Sequence, residues 1–109
     1  MAYDEDLAER VRDALLGREA LTERKMFGGI AFMLHGHMCC GVVKDELMVR
    51  LSVEEGDRAL DEPGTRPMDF TGRPMNGFLF VSPSVLGTDD ALQAWVDRAA
   101  AFVSGLPPK

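Results

Sequence analysis

The run Arg24–Ser52, RKMFGGIAFMLHGHMCCGVVKDELMVRLS, sets three apolar segments around two turn signals and reads as a three-stranded antiparallel meander. His35-Gly36 suits a two-residue hairpin loop, which favours Gly at its second position, and Lys44-Asp45 supplies the second loop. With these loops Leu34 faces His37, Met33 faces Met38, Phe32 faces Cys39 and Ala31 faces Cys40. Farther along, Val42 faces Leu47, Cys40 faces Val49 and Met38 faces Leu51. Side chains alternate with period two, so one face collects Ala31, Met33, Met38, Cys40, Val42, Leu47, Val49 and Leu51 without a charge, and is expected to be the core. The other face carries Ile30, Phe32, Leu34, Cys39, Val43 and Met48, with His37, Glu46 and Arg50 toward its far side. That is too apolar for a solvated surface.

Outward from the meander, Asp4 can cap a first helix whose stripe is Leu7, Val11, Ala14 and Leu15, with Gly17 as its stop. Residues 18–23 read as a connection, and Gly28-Gly29 as an interruption of the first strand. Ser52-Val53-Glu54-Glu55 fits a capping box opening a short second helix, which Pro63-Gly64 ends. Residues 63–77, PGTRPMDFTGRPMNG, read as a loop with a short extended piece at Met68 to Phe70, and Phe78 to Val81 as a fourth strand. Thr88 caps a last helix with Leu92, Trp95, Val96, Ala99, Phe102 and Val103 on one face. The expected fold is α+β, two-layered, with an antiparallel sheet (the meander plus later strands) and N-terminal, middle and C-terminal helices, all in one domain over residues 1–109.

A formal net charge of -6 at pH 7 argues against direct DNA binding, whose affinity comes mainly from basic groups on phosphate. Two adjacent cysteines make no disulfide framework, and strand neighbours should point to opposite faces, so a reduced pair in the cytoplasm is expected, with Cys40 in the core. The N-terminus is acidic without an apolar signal segment, and no run reaches eighteen apolar residues, so neither export nor a membrane is expected.

Arg24-Lys25-Met26-Phe27-Gly28-Gly29, the hairpin with Gly36, Asp45-Glu46-Leu47, Pro67-Met68-Asp69-Phe70 and Phe78-Leu79-Phe80-Val81-Ser82-Pro83 together resemble the N-terminal domain of the TfoX/Sxy family. The likeness spans roughly Leu21 to Phe102. The resemblance implies a two-layer fold with an antiparallel sheet. It also implies a role like that of competence regulators, transcriptional coactivators that act with the cyclic-AMP receptor protein, and hence a transcription-regulator protein as partner. Chain length leaves the separate C-terminal domain of the long regulators absent by expectation, and the resemblance brings no catalytic residues.

Several constellations allow sharper chemistry. His37 and Cys39 share a face and could both reach one metal, but zinc wants three or four protein ligands, and His35 lies in a turn while Cys40 faces the core. Cys39 could be a nucleophile with His37 as base, although no third orienting group is visible. Gly28-Gly29 lacks the Lys and Ser/Thr of a phosphate loop. Arg66 and Arg73, each in an Arg-Pro-Met repeat, could clamp an anion. The preferred reading needs no cofactor: a small non-enzymatic regulatory domain acting through protein contacts, with Ile30, Phe32, Leu34, Cys39 and Val43 as its interaction face and a twofold homodimer as its default assembly. The alternatives are a ligand- or metal-binding protein or enzyme built on His37, Cys39, Arg66 and Arg73, and, for the apolar face, cover by the last helix.

Overall fold

Asp4 opens the first helix as the sequence suggests: its Oδ1 accepts from the backbone N–H of Asp6 at 2.9 Å and of Leu7 at 3.1 Å, and α1 runs Glu5–Ala14. In the computed structural model, which describes residues 3–26, 28–70 and 73–107 (side chains excepting 26, 69–70 and 73–76), the strands follow as β1 Leu21–Met26, β2 Gly29–Leu34, β3 His37–Val43 and β4 Glu46–Arg50. Next come α2 Val53–Ala59, β5 Thr65–Phe70, β6 Arg73–Val81, a 3-10 turn at Pro83–Val85 and α3 Asp89–Ser104. The described strands form one antiparallel six-stranded sheet in the order β1-β2-β3-β4-β6-β5. The fold is therefore α+β with N-terminal, middle and C-terminal helices. Among the described residues no helix is long and apolar enough to cross a membrane.

The meander has four strands rather than three. Gly28, at φ +74, lies between two paired strands instead of inside one, and Leu21–Met26 pairs along its length with β2. LTERKM is charged because β1 is an edge, where exposed Glu, Arg and Lys side chains discourage pairing with another chain. The loop read at residues 63–77 contains most of a hairpin, β5–β6, with Pro67 on the sheet's other edge, where a missing N–H costs nothing.

The first hairpin closes as expected, with positive φ at both His35 and Gly36, and Leu34↔His37 and Met33↔Met38 pair. The register then shifts: Phe32 pairs with Cys40, Ala31 with Gly41 and Ile30 with Val42. Cys39 is the extra residue of a β-bulge. Beyond the second turn Val42↔Leu47 and Cys40↔Val49 stand as the turn residues imply.

The bulge decides which residues share a face. Ile30, Phe32 and Leu34 join Cys40, Val42, Leu47, Val49, Leu51, Leu79 and Val81 in one core, covered by Leu7, Val11 and Leu15 of α1 and Leu92, Trp95, Val96, Ala99 and Val103 of α3. The helices thus cover Ile30, Phe32, Leu34 and Cys39 of the face assigned to self-association together with Cys40, Val42, Leu47, Val49 and Leu51 of the face assigned to the core, whereas Ala31 and Met38 belong to the other side of the sheet. Two predicted helix stripes were legible because each is a 3.6-residue pattern with its own cap. Ser52 caps α2 through Glu55 N–H at 3.1 Å, but the Glu55 carboxylate turns to Arg98 of α3 at 3.5 Å rather than back to the cap. Arg98 also bonds Glu62 at 3.0 Å and stacks 4.2 Å over Trp95, tying α3 to the end of α2.

One consequence concerns the first cap. Replacing Asp4 by Ala removes the acceptor for two N–H groups and a negative charge at a helix start, so Asp4→Ala is expected to cost about 1 kcal/mol in urea denaturation. No change in the midpoint would contradict the cap.

Candidate functional site

The sheet face turned away from the helices carries a second, smaller apolar cluster. Alternation places Ala31 of β2, Met48 of β4, Met68 of β5 and Phe80 of β6 there, each buried, with Met38, Val43 and Phe78 half-buried against them. Met33, paired with Met38, is half-buried on the same side. Among the described residues the centre is buried, and the accessible apolar surface is its margin of Met33, Met38, Val43 and Phe78.

Among the described residues, Arg24, Arg50 and Arg66 edge this face. Arg24 sits opposite Ala31 and is exposed. Arg50 places its guanidinium carbon 5.6 Å from the ring centroids of both Phe78 and Phe102. Arg66 lies 4.5 Å over Phe80 and donates through Nε to Glu46 Oε2 at 2.9 Å, with a second, parallel bond from Nη2 to Oε1. That forked contact with Glu46 holds the Arg66 guanidinium more firmly protonated than usual. The opposite, helical layer is acidic where it begins each helix, at Glu5-Asp6, Glu54-Glu55 and Asp89-Asp90. Arginine, methionine and phenylalanine thus meet on this face, residue types enriched in protein interfaces.

The residues expected at the site are placed as follows. Ile30, Phe32, Leu34 and Cys39 are at most 5% exposed beneath α1 and α3, so they form core and not interface; the bulge at Cys39 is the physical reason. Val43 alone of the five lies on the open face. His37 is half-buried, and its Nε2 is 2.6 Å from the Pro107 carbonyl, so that nitrogen carries the proton and donates it rather than facing a metal. Cys39 is fully buried in the helix-covered core. Among the described residues no group of three His, Cys, Asp or Glu converges as a metal site would need. Arg66 is engaged by Glu46, and the side chain of Arg73, its expected partner in an anion clamp, lies outside the described residues.

Sequence reasoning missed Met68 and Phe80. Residues 63–77 read as a loop with a short extended piece at Met68 to Phe70, and Phe78 to Val81 as a strand, but no pairing between the two placed Met68 and Phe80 on a common face. A second feature, between α1 and α3, is a cavity of about 210 Å³ lined by Arg10, Asp13, Ala14, Asp89, Leu92 and Gln93. Its polar groups already serve the fold: Arg10 donates to the carbonyls of Leu86 at 2.7 Å and Thr88 at 3.2 Å, and Gln93 to that of Ala14 at 3.1 Å.

In comparison with known proteins, the family model of the TfoX N-terminal domain matches residues 13–103, from the end of α1 to the last turn of α3. No curated protein matches the chain.

Proposed function

The chain belongs to the TfoX N-terminal domain family, and on that premise we propose that it is a regulatory interaction domain, without catalysis of its own, that engages a protein partner through the sheet face opposite its helices. The observation that supports this is the margin of Met33, Met38, Val43 and Phe78 edged by Arg24, Arg50 and Arg66. Methionine adapts to irregular partner surfaces, and arginine over an aromatic ring offers a flat apolar contact beside a positive charge.

Charge selects the occupant. A second copy docked about a twofold axis would set these arginines against themselves, which is unfavourable where water is excluded. An acidic, partly apolar protein surface is complementary to this face. The family's tie to transcriptional coactivation makes a regulator protein the partner sought, and the acidic balance leaves DNA contacts to that partner.

The test is affinity capture from the native cells with three baits: the wild type, Arg24→Glu combined with Arg66→Gln, and a helix-layer control, Arg58→Glu. A partner that uses this face is retained by the wild type and the control and weakened at least about tenfold by the sheet-face variant, or roughly 1.4 kcal/mol, with loss at high salt. Equal retention by all three baits would remove the face from the proposal. Light scattering separates the homodimer outcome, since a wild-type dimer that Arg24→Glu does not perturb would place self-association elsewhere.

A further inference from the structure

The β-bulge at Cys39 gives this chain a feature that regular strand geometry forbids. Successive strand residues point to opposite faces, yet Cys39 and Cys40 both belong to the core beneath the helices, because the extra residue turns the strand between them. Both are fully buried in the same core cluster. We propose that Cys39 and Cys40 form a peroxide-sensitive dithiol, oxidised by a small hydroperoxide to a disulfide between neighbouring residues of the same strand.

The two thiols are unequal. The neighbouring Cys40 thiol lowers the Cys39 pKa, against the opposing effect of burial and with help from the charge of Arg18, whereas Cys39 and complete burial push Cys40 well up. Nearer the hairpin end and the more acidic of the two, Cys39 is the attacking thiol and Cys40 the resolving one. Cys39 also stands two residues from half-buried His37 and three from the exposed turn at Gly36, so fraying of that hairpin end admits a small oxidant.

In the first step the Cys39 sulfur attacks the outer oxygen of the hydroperoxide; the O–O bond breaks, the proton released from Cys39 completes the leaving alcohol or water, and Cys39 becomes a sulfenic acid. In the second, the Cys40 sulfur attacks the Cys39 sulfur; the S–S bond forms, and the sulfenic hydroxide leaves as water with the Cys40 proton. Two thiols lose two electrons, and the hydroperoxide gains them. The end product adds no atom to a close-packed core, unlike any adduct with a bulky thiol. The dithiol is independent of the interaction face, which lies on the other side of the sheet.

The experiment exposes the folded wild type to excess hydrogen peroxide and measures intact mass and free thiols after denaturation. The expected product is a monomeric chain lighter by two hydrogens, without free thiol and restored by dithiothreitol. Cys40→Ala should stop at a sulfenic acid captured by dimedone, and Cys39→Ala should slow thiol loss at least about tenfold. Two free thiols remaining in the wild type, or products heavier by oxygen without the hydrogen loss, would overturn the proposal.

Discussion

Phe32→Asp is expected to abolish folding. Phe32 has no exposed surface; it lies in the core beneath α1 and α3, opposite Cys40 on one side and Glu23 on the other, with the Arg12 guanidinium carbon 5.9 Å from its ring centroid. Removing the ring forfeits about 3–5 kcal/mol of burial and packing. Placing a carboxylate there adds several kcal/mol of desolvation, or the cost of protonating it instead. Arg12 offers no rescue, because Nε and Nη2 already bond both Glu23 oxygens at 2.7 and 2.8 Å. Together these costs match or exceed the roughly 5–15 kcal/mol that holds a domain folded. Circular dichroism of the variant should show loss of cooperative thermal unfolding. A folded, soluble Phe32→Asp would instead return Phe32 to an exposed interaction face and require the unbulged register.

That substitution also marks where the sequence was legible and where it was not. The turn at His35-Gly36 could be read because local backbone demands select its residues: φ is positive at both. The helix stripes of α1 and α3 could be read because caps and periodicity agree within each segment. The bulge could not. One extra residue leaves no mark on composition, yet it moves Ile30, Phe32 and Leu34 from one side of the pairing to the other relative to Cys40 and Val42. An apolar alternation present on both faces of β2 and β3 gave no internal contradiction to expose the slip.

Edges were obscure for a different reason. β1 and β5 bury little, so their sequences answer to solubility rather than to the core, and charged residues in one and Pro67 in the other look like connection. The candidate face suffered from both effects. Its position depended on the bulge, and its Met68 and Phe80 on the pairing of the recognised strand at Phe78 to Val81 with an edge strand obscured by prolines.

Gly41 carries the tightest constraint in the centre of this sheet, and Gly41→Ala is expected to be almost as damaging as Gly41→Val. A Cβ at this position would stand 2.4 Å from the Ile30 carbonyl oxygen, 2.9 Å from Met48 Cε and 3.1 Å from Ala31 Cα. The methionine end can swing away, but the other two atoms are backbone of β2, to which β3 is paired along this stretch. The strain is thus set by the first added carbon, and the further methyls of valine only extend it into the packed cluster of Ala31, Met48 and Met68. Relief requires β2 and β3 to separate just beyond the bulge, where the Ile30↔Val42 pair anchors the helix-covered core. Each variant should lose roughly 4 kcal/mol or more, a fall in midpoint on the order of 20 °C for a chain of this size. Gly87→Ala is the matched control: nothing lies within 4 Å of a Cβ there, so its stability should change by less than about 1 kcal/mol. Near-wild-type melting of Gly41→Ala would show that β2 and β3 do not approach as closely as this register requires, and would reopen the pairing on which both the core and the candidate face depend.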